Sequence, residues 1–131
     1  MQTAFLTGTE FIEGVILISQ TMAIHQMTGS DIEIQFAEKV LLAKEPVLVE
    51  FYRNYSGLSF LAESLLQEFT DDFKDKVLFY KVNLDEYPFF ELTYCISEIP
   101  TILLFKDGTV SGSVSGPFSK NLLVAAIFDK V

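Results

Sequence analysis

An α/β fold in one compact domain, with a mixed sheet and helices on both of its faces, is what this 131-residue sequence predicts. Three observations carry that expectation. Two runs, "PVLVEFY" (46–52) and "KVLFYKVNL" (76–84), are apolar at successive positions, as strands buried on both sides must be. Segments with helical spacing alternate with them. The stretch "TILLFKDGTVSGSVSG" (101–116) reads as a hairpin turning at Asp107-Gly108, a dipeptide suited to the positive φ of a tight turn.

Taken in order, "FAEKVLLAK" (36–44) reads as a short helix, and Pro46 bounds the strand that follows it. From Leu58 the apolar positions 58, 61, 62, 65, 66 and 69 form a helical stripe, with Glu63, Gln67 and Glu68 off it. After the second strand, "EYPFFELTYC" (86–95) reads as a short helix. The hairpin comes next, and "SKNLLVAAIFDKV" (119–131) closes the chain as an amphipathic helix capped by Ser119. The order from Asp31 to Val131 is therefore α, β, α, β, α, β, β, α.

Residues 1 to 30 form an N-terminal extension to a domain spanning 31 to 131. Thr7 and Glu10 have the spacing of a capping box, and Phe11, Ile12, Val15, Ile16, Met22, Ala23 and Met27 fit one helical face. "VILIS" leaves a short strand open as an alternative. "MTGSD" (27–31) has the turn chemistry of a break. Burial of this much apolar surface, at roughly 25 cal/mol per Å², requires either the chain's own domain or a second copy, so a homodimer is one expectation.

Nine basic against eighteen acidic residues give a net charge of −9, which repels phosphate backbones and anionic membranes, so neither nucleic acid nor membrane is expected as a partner. The acidic residues are scattered, and "DDFKDK" (71–76) is interrupted by lysines, as a solvated surface would be. Cys95 is the only cysteine and His25 the only histidine, so no intrachain disulfide can form and no Cys/His metal site is expected. Both are read as packing residues, and no cofactor is implied. The start "MQTAFLTGTEFIEG" lacks the basic residues of a secretory signal, and "VILISQTMAI" is too short and polar to span a bilayer. A cytoplasmic location is the expectation.

From residue 31 onward the sequence resembles the thioredoxin family, and the resemblance implies the thioredoxin fold. "PVLVEFYRNYSGLSF" is similar to the family's strand leading into Trp-Cys-Gly-Pro-Cys-Lys, "EIPTILLFKDG" to its Ile-Pro-Thr segment and hairpin, and "SGPFSKNLL" to its glycine and final helix. Carried over by position, Tyr55 stands for the tryptophan, Ser56 and Ser59 for the two cysteines, Gly57 for the glycine, Leu58 for the proline and Phe60 for the lysine. Glu50 takes the place of the family's buried aspartate, and Lys81 that of the lysine facing it, which implies a buried charge pair. Pro100 matches the proline that the family holds in cis.

These departures remove the family's chemistry. Dithiol exchange needs a thiolate at a helix N-terminus and a second thiol to resolve the mixed disulfide, and a serine hydroxyl supplies neither. Dithiol–disulfide oxidoreductase activity is therefore not expected, and no residue is assigned a catalytic role. A serine hydrolase would need a base and an orienting group, and His25 has no motif around it. Ser56 reads instead as the N-cap of the following helix, and Ser59 as a polar residue of its first turn. Simple replacement of two cysteines by engineering would have left the Tyr55, Leu58 and Phe60 positions unchanged.

What the resemblance leaves intact is a binding groove. In the family the backbone before the cis-proline pairs with an extended substrate peptide, and here Tyr55, Leu58, Phe60, Ile99, Gly116, Pro117 and Phe118 would surround it with an apolar rim. The expected function is a redox-inactive, thioredoxin-like binding or chaperone-type module whose partner is a protein or peptide segment. The alternative is an oxidoreductase-related protein of redox homeostasis acting through Cys95 alone, with Cys95 otherwise a small buried residue.

Overall fold

The computed structural model describes residues 24–131. The expected elements are present, and one strand precedes them. Strand β1 (His25–Gln26) leads into helix α1 (Ile32–Phe36), which runs on into a π-helical turn at Ala37–Leu41. Then come β2 (Val47–Tyr52), α2 (Gly57–Phe73), β3 (Leu78–Asn83), α3 (Phe89–Thr93), β4 (Thr101–Lys106), β5 (Thr109–Ser115) and α4 (Lys120–Ala126), ending in a 3₁₀ turn at Phe128–Lys130. The sheet order is β1-β3-β2-β4-β5, with β1, β3 and β2 parallel, β4 antiparallel to β2, and β5 antiparallel to β4.

The two apolar runs became β2 and β3, two of the three inner strands, and β2, like β4, is buried along both faces. Val47, Leu48, Val49, Glu50 and Phe51 are all buried. The period of two sends Val47, Val49 and Phe51 to a face packed with Phe36, Phe90 and Phe105. Leu48 goes to the opposite face with Leu66, Leu104 and Leu123, under α2 and α4, and alternation puts Glu50 on that side too. Phe36 alone contacts the rings of Phe51, Phe90, Tyr94 and Phe105, at centroid distances of 4.9 to 6.5 Å. The hairpin turns at Asp107 (φ 52) and Gly108 (φ 80), the paired positive values of a type I′ turn.

Several expectations are corrected. The helical face drawn through Met27 does not continue that far: His25 and Gln26 are edge-strand residues paired with Tyr80 and Lys81, and the Met27 N–H donates to the Lys81 carbonyl at 2.9 Å. Ile24 and Met27 are buried in the two cores, so the folded unit begins before position 31. The capping box at Thr7 and Glu10 and the rest of the extension through position 23 lie outside the described residues. His25 is not a packing residue, because an edge strand with exposed faces holds it in solvent.

Cys95 is exposed rather than buried. It is the residue just past the C-cap of α3, with φ 54, and its N–H points to the Leu92 carbonyl while Ile96 N–H donates to that of Glu91 at 2.9 Å. That is the Schellman pattern, whose left-handed residue turns away from the helix it terminates.

The stripe expected on α2 is rotated by about one position. Ser59, Ala62, Leu66 and Thr70 face the sheet, whereas Leu58 and Leu61 are 42% and 60% exposed. With Ser59 turned inward, its apolar neighbours fall on the flank.

Candidate functional site

The site is the junction at which β2 hands over to α2. The loop between them is held from the β3 side. Asn54 N–H donates to Asp85 Oδ2 at 2.8 Å, Arg53 pairs with Asp85 at 3.0 Å and with Glu91, and Asn83 Nδ2 donates to Asn54 Oδ1 at 2.9 Å. The Asn54 N–H and the Arg53 guanidinium together hold the Asp85 carboxyl below its ordinary range. Braced in this way, the loop carries Tyr55 at φ 59 with its ring fully in solvent. Ser56 follows in extended conformation and caps α2, its Oγ accepting the Ser59 N–H at 3.1 Å. The expected N-cap is thus present.

On one side of this helix start lies a cleft of about 550 Å³, lined by Glu50, Tyr52, Arg53, Asn54, Tyr55, Ser56, Gly57, Ser59, Phe60 and Glu63. Glu50 is 1% exposed, and neither of its carboxylate oxygens has a hydrogen-bond partner among the described residues. Burial pushes its carboxyl up to about 8, and the neighbouring Glu63 charge adds to the rise while Lys81 opposes it. The Ser59 hydroxyl, also buried, is likewise without a partner among the described residues.

The expected Glu50–Lys81 charge pair is corrected. The two residues are register partners on β2 and β3, but the Lys81 ammonium donates to Glu63, at 3.0 Å to Oε1 and 3.2 Å to Oε2. It also sits 5.5 Å from the centroid of the Tyr52 ring. A lysine stem is long enough to carry its charge outward, and Glu63 is half-buried where Glu50 is enclosed. Pairing there leaves both ions some water and avoids much of the desolvation cost.

On the other side of α2 is a smaller hollow of about 100 Å³, lined by Leu58, Leu61, Ala62, Leu65, Gly116, Pro117 and Phe118. The Gly116 N–H donates to the Pro100 carbonyl at 2.8 Å, tying this wall to the loop before β4, in which the Ile99–Pro100 bond is cis. Pro100 is buried and Ile99 half-buried, and neither lines the cleft or the hollow. The residues named from the sequence therefore divide: Glu50, Tyr55, Ser56, Gly57, Ser59 and Phe60 on the cleft, Leu58, Gly116, Pro117 and Phe118 on the hollow. Sequence reasoning missed Tyr52, Arg53, Asn54 and Glu63 on the one and Leu61 and Leu65 as walls of the other. For Glu63 a signal existed: it lies four residues after Ser59 and seven after Ser56, on one helical face with them.

A mixed five-stranded sheet flanked by helices, with a capped helix starting at the carboxyl end of its central strand, defines an α/β protein of the thioredoxin fold. Among the described residues no helix is long and apolar enough to cross a membrane. Residues 27–129 match the thioredoxin family, and the chain belongs to it. It is similar to a thioredoxin of Acidithiobacillus ferridurans, 37% identical over 69% of this chain and 83% of the relative. A thioredoxin of Rickettsia bellii (strain RML369-C) is 31% identical over 80% of this chain and all of the relative. Thioredoxin M3, chloroplastic, of Oryza sativa subsp. japonica is 34% identical over 69% of this chain, which spans about half (51%) of that relative.

Proposed function

We propose that this chain is a thioredoxin-like module that binds an extended segment of another protein beside the start of α2 and performs no dithiol exchange. One observation carries the reading: Ser56 and Ser59, three positions apart, occupy the cap and first turn of the helix that begins at the end of β2. In a thioredoxin family member these positions correspond to the redox pair. Here Ser56 is used as a hydrogen-bonding cap, and neither hydroxyl can form an S–S bond.

Binding is supported by the surface around that helix start. Tyr55, Leu58, Phe60 and Leu61 are 105%, 42%, 72% and 60% exposed, a concentration of apolar side chains that marks contact surfaces. An extended segment suits the place because the family pairs such peptides with the backbone beside its cis-proline, and the Pro100 loop adjoins the same wall. The alternative reading through Cys95 gains nothing from geometry, since Cys95 lines neither the cleft nor the hollow.

The test uses a reduced, carboxymethylated unfolded protein as the binding probe, followed by fluorescence anisotropy. Leu58→Asp should weaken binding at least tenfold, and equal binding by that variant would remove the proposal. In parallel, insulin reduction should not exceed the dithiothreitol background, whereas Ser56→Cys combined with Ser59→Cys should gain activity. Turnover by the unmodified chain that vanishes in Cys95→Ala would favour the enzyme instead.

A further inference from the structure

We propose that the cleft beside α2 receives the ammonium group of a lysine side chain carried by the bound segment, held by Glu50 and Ser59. This deepens the reading of the chain as a segment-binding module and rests on it.

Two side chains on the cleft are more than nine-tenths buried and have polar atoms without partners among the described residues: Glu50, 1% exposed, and Ser59, 5% exposed. Between them they offer three acceptor oxygens. Leaving such atoms unpaired away from water is costly, so a site built this way favours whatever ligand satisfies them. An ammonium group has three donors and no acceptor, which matches the three oxygens in number and kind. A planar guanidinium fork matches the two carboxylate oxygens, whereas the compact ammonium can turn its donors toward the carboxylate and the hydroxyl together.

Charge points the same way. Lys81 is the cation placed to neutralise Glu50, but it is committed to Glu63, and the chain as a whole carries a net charge of −9. The mouth of the cleft has the rings of Tyr55 and Phe60, both in solvent, which would cover the methylene stem of a lysine and face its charge. A divalent metal is a poorer fit, because among the described residues no three His, Cys, Asp or Glu side chains converge.

The proposal carries a pH signature. The groups acting on Glu50 are Glu63 from α2 and Lys81 from β3, with Tyr52 adjacent on the same strand edge, and burial keeps its carboxyl protonated until about 8. The incoming ammonium must therefore displace a proton. The ionised fraction of such a carboxyl rises about tenfold between pH 7 and pH 9, while an alkylammonium, with an ordinary pKa of about 10.4, stays charged throughout. Affinity should rise by the same factor.

The experiment titrates the full chain with n-butylammonium and with n-butanol, its uncharged counterpart of similar shape, following the Glu50 side-chain carboxyl by carbon-13 NMR. Saturable binding of n-butylammonium alone, tightening about tenfold from pH 7 to pH 9, is expected. Glu50→Gln should weaken it at least tenfold and Ser59→Ala several-fold. Equal response to both probes, a flat pH profile, or unchanged binding by Glu50→Gln would overturn the proposal. The source of the ammonium is tested with an acetylated, amidated pentapeptide bearing one central lysine and its norleucine counterpart. Preference for the lysine peptide supports a segment-borne group, and equal binding of the two overturns it even if n-butylammonium binds. Failure of all ammonium probes while Leu58→Asp still abolishes binding of the carboxymethylated protein would sink this inference and leave the proposed function standing. Loss of the Leu58 effect would instead remove the function on which it rests.

Discussion

The cleft and the hollow lie on opposite flanks of one helical turn, yet they are built on opposite physical terms. The cleft sets a buried carboxyl and a buried hydroxyl, neither hydrogen-bonded among the described residues, against aromatic walls. The hollow is lined by Leu58, Leu61, Leu65 and Pro117 and carries no ionisable group. Residues 56 to 62 contribute to both, Ser56, Gly57, Ser59 and Phe60 to the cleft and Leu58, Leu61 and Ala62 to the hollow, because successive positions on a helix are about 100° apart and sweep across its two flanks. The cleft thus stores unfavourable polar burial, and the hollow exposes apolar area that costs the isolated chain little. Substitutions on the two sides should differ in kind as well as in size.

The largest effect is expected at Glu50. In the unfolded chain its carboxyl titrates near 4.5, and in the folded chain at about 8. Between those values the folded protein holds a proton that the unfolded one has lost, so stability falls as pH rises through the window, and the loss is complete above the upper value. Each pH unit within it costs up to about 1.4 kcal/mol. Glu50→Leu should flatten this slope and stabilise the protein by several kcal/mol at pH 9, measured by urea unfolding at pH 5, 7 and 9. A parallel pH dependence in the variant would mean that another group is responsible.

Next comes the cap of the helix that carries both flanks. Ser56→Ala removes the acceptor for the Ser59 N–H and should cost about 1 kcal/mol, with Ser56→Asp restoring most of it. Identical melting of all three chains would show that the cap contributes nothing. Ser59→Ala should act in the opposite sense, because it deletes a buried hydroxyl with no partner among the described residues. A gain of up to about 1 kcal/mol is expected, and a loss of that size would reveal a partner for Oγ. Smallest is Leu58→Asp, a substitution on a surface 42% exposed, which should change stability by less than about 0.5 kcal/mol while acting strongly on segment binding. A large drop in melting temperature would move Leu58 from the contact surface into the core.

Some of the site was legible because its signals are local. An N-cap depends on one side chain and a backbone three residues away, so Ser56 could be assigned from the spacing alone, and Asp107-Gly108 announced its hairpin for the same reason. Errors arose where spacing had to be turned into direction. The α2 stripe was drawn through Leu58 because apolar residues were assumed to face inward, and the buried Ser59 rotated it. Cys95 was assigned to the interior by residue type, although the end of a five-residue helix turned it out.

By itself, then, the sequence determined the order of elements from residue 31 onward and the two apolar runs that became β2 and β3, because periodicity and turn residues are properties of the chain. The tertiary structure decided the rest. It drew His25 and Gln26 into the sheet, since an edge of β3 was available to pair with them. It also parted Lys81 from Glu50, since a charge chooses the partner that leaves it better solvated, and that partner, Glu63, reached it only when α2 packed across the sheet.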